Sequence, residues 1–235
     1  MEEGTKRMKK KTKKVLSLLI LTALIPSLAV VGIFLFEGRN YALISALIAI
    51  AACTAFFLSF ERKETGARRV MVISALTALS VAGRFIFAFV PAFKPVTAMV
   101  VISALYMGSE AGFLVGALTA VVSNLYFGQG PWTPFQMLAW GLVGLFAGLL
   151  SKPLKKNRVL LSVYGVLAGI AYSLMMDVWT VCWYDGGFNP SLYLTSLVAS
   201  LPHTVAYAVS NVIFLLALTG PIGEKLERLQ KKYGI

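Results

Sequence analysis

The stretch SNLYFGQGPWTPFQMLAWG, residues 123–141, joins two apolar runs and contains no Lys, Arg, Asp or Glu. Asn124, Gln129 and Gln136 supply hydrogen-bond donors and acceptors without charge. Trp132 and Trp140 add flat aromatic area, and Gly128 and Gly130 permit close backbone approach. Trp179 and Tyr184 stand near the end of a later apolar run. Such residues suit a large, partly flat, polar but uncharged molecule, held by ring contacts and amide pairing. Arg84 and Asp177 are charges inside apolar runs, which are costly in a bilayer unless paired, hydrated or bound to ligand. They are read either as a mutual pair or as the wall of the same site. His203 follows Pro202, which frees a backbone carbonyl and bends its helix. It is read either as a buried, satisfied imidazole or as a polar contact to ligand.

Enzyme chemistry finds little support in the same residues. The chain has one His, no HExxH, no phosphate-binding loop of the Gly-rich Lys-Ser/Thr type and no paired carboxylates. Asp177 is the one acid clearly within an apolar run, so an Asp dyad within one chain is excluded. A Ser–His203 arrangement for intramembrane proteolysis has no supporting spacing. The expectation is a protein that is not an enzyme, with no catalytic residue, no metal ligands and no cofactor. The rival readings are an intramembrane enzyme or protease using His203, and a structural membrane subunit without a small ligand.

The elements that must position these residues are membrane helices. Of the 235 residues 58% are hydrophobic and 14% charged, and the mean hydropathy is +0.78. A spanning helix needs about 20 apolar residues. Eight apolar segments are predicted, at 15–36, 41–60, 69–90, 95–108, 110–127, 134–150, 159–181 and 193–218. The fourth is short and Pro-started, so it is expected to be tilted or to span only partly. The N-terminal apolar stretch is too long for the core of a signal peptide and is read as a retained helix. Cys53 and Cys182 give no disulfide framework.

The formal net charge of +12 is explained by topology rather than by nucleic acid. All but three of the 22 Lys and Arg (Arg39, Arg84 and Lys94) lie in the N-terminal arm, in ERKETGARR, in SKPLKKNR or in the C-terminal tail. With eight spans, all four clusters face one side. The chain is therefore expected in the plasma membrane with both termini cytoplasmic. The predicted organisation is a basic arm plus accessory two-helix hairpin (1–67), a six-helix substrate-binding core (68–220) and a basic cytoplasmic tail (221–235). Small residues line Ser74/Ala78/Ala82, Gly112/Gly116/Ala120 and Gly141/Gly144/Gly148. Such faces allow helices to approach closely in lipid.

The sequence KPVTAMVVISALYMGSEAGFLVGALTAVVSNLYFGQGPWTPFQMLAWGLVGLFAGLL, residues 94–150, resembles the substrate-binding S component of energy-coupling-factor (ECF) vitamin transporters. The likeness extends topologically over 69–220. It implies an all-α integral membrane protein, a six-helix bundle here preceded by the two-helix hairpin. It also implies capture of a vitamin-sized molecule from outside, and work with a membrane T component and two ATPase subunits. By the same resemblance, Ser74, Ala78 and Ala82 would dock on the T component. The sequence is most similar to cobalamin-type members, while riboflavin or another flat vitamin would suit the residues nearly as well. The two extra N-terminal segments depart from the six-helix pattern.

Overall fold

The structure, a computed structural model, describes residues 66–130, 132–185 and 189–234, with isolated positions between 12 and 54. The expected N-terminal hairpin falls almost wholly outside the described residues. Those from 66 onward form seven helices: α1 Gly66–Ile86, α2 Val96–Met107, α3 Ser109–Phe127, α4 Trp132–Leu149, α5 Ser151–Lys156, α6 Arg158–Asp185 and α7 Pro190–Tyr233. Five of them (α1, α3, α4, α6 and α7) are long and apolar enough to cross a membrane, and α2 is a shorter apolar helix. Over the described residues the protein is all-helical, with the make-up of a multi-pass membrane protein.

The centre of the bundle is α2, the segment expected to span only partly. It touches each of the other six helices. Every residue from Val96 to Met107 is buried except Tyr106, which is half-buried. Its Val and Ile content lowers intrinsic helix propensity. Burial overrides that preference, because backbone groups in an apolar interior must bond to one another. At about 1.5 Å per residue its 12 residues extend only ~18 Å, short of a ~30 Å hydrocarbon core. Gly108 alone separates α2 from α3, at φ 96° and ψ 168°, a conformation nearly confined to glycine.

The glycine faces of α3 and α4 meet each other. A Cβ on Gly112 would stand 2.9 Å from the Gly144 carbonyl oxygen, and one on Gly116 would stand 2.6 Å from the Trp140 carbonyl. These glycines serve internal packing. The small face of α1 does not, since Ser74, Ala78 and Ala82 are all exposed.

The basic segments gather at one end of the bundle. There Arg69 Nη2 donates to the Met107 carbonyl at 2.8 Å, and Gln230 Nε2 donates to the Tyr106 carbonyl. The Arg68 guanidinium lies 5.2 Å from the Tyr233 ring centre, and Lys155 Nζ 4.0 Å from that of Tyr106. The last helix runs past the predicted end of its apolar segment. It continues through Pro202 and Pro221 to Tyr233, so the basic tail is helical. It holds because Leu226 is buried against the core with Leu229 and Ile222 beside it, while Lys and Glu face outward.

Candidate functional site

At the opposite end, five helices send polar side chains to one point. Arg84 ends the run of buried residues on α1. Its Nη1 donates to Ser123 Oγ and, at 2.8 Å, to Asn124 Oδ1 on α3. Asn124 is fully buried, and its Nδ2 donates to Thr133 Oγ1 (2.9 Å) and Gln136 Oε1 (2.8 Å) on α4. Gln136 Nε2 in turn donates to the Tyr172 hydroxyl on α6 at 3.2 Å. The Tyr172 ring is stacked on Trp140 (centres 5.1 Å apart, 16° between planes) and meets Tyr207 of α7 edge-on at 5.0 Å. The Arg84 guanidinium lies 5.3 Å from the Trp140 ring centre and 4.9 Å from that of Phe127. Asn124 is the hub, since one side chain serves the cation on one side and two neutral partners on the other.

Gln129 braces the α3–α4 hairpin rather than the centre. Its Nε2 donates to the Val121 carbonyl and its Oε1 accepts from Thr133, both at 2.9 Å. Gly128 takes a φ of 98°, which explains glycine at that turn. Trp132 folds over Gly130, and its ring meets Trp179 of α6 edge-on with centres 5.9 Å apart. The Trp179 Nε1 is buried with no acceptor among the described residues. Such an orphaned donor is costly, and a ligand carbonyl would relieve it.

Two expectations are corrected here. Arg84 and Asp177 do not pair. Asp177 is buried between α6 and α7, where it accepts from Ser196 Oγ (2.8 Å) and Ser200 Oγ (2.7 Å). Both charges sit at comparable distance along their helices but point to different neighbours, a difference that depth alone does not reveal. His203 is neither buried nor in the network. It lies exposed on α7, with no polar partner among the described residues. Tyr184 is likewise 76% exposed, at the end of α6.

The structure therefore brings together Arg84, Asn124, Gln136 and Trp140, with Gln129 bracing them and Trp132 paired with Trp179 nearby. Sequence reasoning missed Ser123, Thr133, Tyr172 and Tyr207. The two tyrosines carried a usable signal, because they sit in the middle of apolar segments rather than in an interfacial belt.

The Asp177 clamp can be tested directly. Asp177→Ala removes two hydrogen bonds to a carboxylate, but both serines can bond back to their own helix, as Ser200 already does to the Leu197 carbonyl. The expected loss is about 1–3 kcal/mol, read as a lower melting temperature, with Asp177→Asn recovering part of it.

The buried amide and aromatic network thus occupies one end of a multi-pass helical bundle. The family model for the ECF-type riboflavin transporter, S component, matches residues 64–220, well over half of the chain, and the chain belongs to this family. The family consists of transport subunits rather than enzymes. No curated protein and no solved structure matches the chain.

Proposed function

We propose that this protein is the substrate-capture subunit of an ECF-type transporter, that it takes a flavin from outside the cell, and that its basic end faces the cytoplasm. The observation that carries the reading is the riboflavin S-component match over 64–220. A flavin takes the place of cobalamin, for which neither the family match nor the site gives support. Its flat ring system suits the Trp132–Trp179 and Trp140–Tyr172 aromatic pairs, and its ring carbonyls suit the free Trp179 donor. The intramembrane enzyme alternative loses ground, because His203 is exposed on α7 and lies outside the buried network.

The test is titration of the purified full chain with riboflavin, following flavin fluorescence, with cobalamin as competitor. Quenching by protein that cobalamin does not reverse supports the reading. Cobalamin binding without flavin binding would restore the corrinoid, and retention of neither would favour a structural subunit.

Delivery would then use a T component and two ATPase subunits, with the exposed Ser74/Ala78/Ala82 face of α1 as the contact. Small residues there let a partner helix approach closely, and a Leu would hold it off. Ala82→Leu is expected to cut complex assembly and uptake severely while flavin binding by the isolated subunit stays within error. Co-purification with the partners and equilibrium binding measure the two quantities separately.

A further inference from the structure

Two cations lie close to the Phe127 ring, and no acid among the described residues pairs with either. Arg84 lies 4.9 Å and Lys94 Nζ 6.0 Å from its centre. Arg84 spends Nη1 on Ser123 and Asn124, while its Nε and Nη2 have no acceptor among the described residues. The Lys94 ammonium has neither a hydrogen bond nor an ion pair among them. Burial, with the Arg84 charge next in weight, pushes that ammonium below the usual lysine range, and no carboxylate offsets it.

The position of Lys94 is also firmly set. Its backbone N–H donates to Ser210 Oγ at 2.9 Å, and the same hydroxyl donates back to its carbonyl at 3.1 Å. Phe93, one residue earlier, packs against Phe87 and Phe214 with ring centres 5.9 and 5.0 Å away. Pro95, one residue later, sits so close to Gly83 that a Cβ there would collide with its ring. A long, hydrated side chain is thus anchored at its root in a half-buried place, beside a second cation. Two like charges there repel and lose hydration, and the described residues supply no counter-charge.

We infer that Arg84 and Lys94 form a subsite for an oxyanion of the phosphate-ester class. An oxyanion there would accept from the open Arg84 donors and from the Lys94 ammonium together, in charge-assisted hydrogen bonds. On the flavin reading, which this assignment refines, the ligand is a phosphorylated flavin whose ring system meets the tryptophans and whose phosphate meets the two cations. The oxyanion subsite itself rests only on the two cations and not on the flavin.

The experiment uses the full chain in detergent as wild type, Lys94→Met and Lys94→Arg. Flavin mononucleotide and riboflavin are titrated in parallel. Separately, melting temperature is followed in sodium phosphate against sodium chloride at equal ionic strength. Flavin mononucleotide should bind wild type about tenfold more tightly than riboflavin, the gain of one charged hydrogen bond. That preference should vanish in Lys94→Met and return in Lys94→Arg. Phosphate should raise the melting temperature of wild type and Lys94→Arg but not of Lys94→Met. A phosphate response without binding of either flavin would keep the subsite and remove the flavin reading. Repeating the melts in nanodiscs separates the sources: loss of the phosphate response in phosphatidylglycerol but not phosphatidylcholine would assign the subsite to a lipid headgroup. Riboflavin bound as tightly as its phosphate by wild type would overturn the assignment of a phosphorylated ligand. Equal responses of wild type and Lys94→Met to phosphate would overturn the subsite.

Discussion

Asn124→Leu is expected to be the most damaging single change at the site, lowering stability by about 3 kcal/mol or more. Leucine fills nearly the same volume, so the loss is electrostatic rather than a cavity. The substitution takes from Arg84 its amide acceptor and leaves it only the Ser123 hydroxyl. It also removes the donor to Thr133 and Gln136, so the unpaired groups are spread over two helices, α1 and α4. A buried cation that loses a partner costs more than a neutral group, because water cannot replace what is lost. Asn124→Asp keeps an acceptor facing Arg84 and should retain most of the stability. Thermal unfolding of the detergent-solubilised chain measures both. A leucine variant that melts with wild type would mean that the hub contributes little to the fold.

Gly116→Leu should be as severe for a different reason. A Cβ at Gly116 would already stand 2.6 Å from the Trp140 backbone carbonyl, and leucine adds three more carbons. Backbone cannot move aside as a flexible side chain can, so α3 and α4 must separate. Overpacking usually costs about 1–3 kcal/mol, and contact with backbone belongs at or above the top of that range. Separation would also pull Asn124 on α3 away from Thr133 and Gln136 on α4, so ligand binding should fall with stability. Phe146→Leu, on the exposed side of α4, is the comparison and should leave both nearly unchanged. The check is the yield of monodisperse protein in size-exclusion chromatography, together with the melting temperature.

The helices were legible in the sequence for a simple reason. Apolar length and basic flanks are one-dimensional signals, and the bilayer makes them strong. α3, α4 and α6 fall within a few residues of their predicted segments. The end of α7 was not legible, because polarity signals the edge of the membrane and not the end of a helix. Gly112, Gly116 and Gly144 were readable as a packing face, since only small residues allow such an approach. The pairing of Arg84 was not. Its partner is 40 positions away on α3, and the choice of Asn124 over Asp177 depends on rotation about the helix axis. The hairpin amides were identified as unusual, yet much of their capacity goes to bracing the turn and the hub.

The membership of the hub carries a thermodynamic consequence. It holds one guanidinium, which stays protonated at any physiological pH, and otherwise amides, hydroxyls and rings. None of these changes protonation between about pH 5 and 8. The single His stands exposed and apart on α7. The described residues of the hub can therefore neither take up nor release a proton as its occupancy changes. Among the described residues, a transmembrane proton gradient finds nothing at the hub to push against.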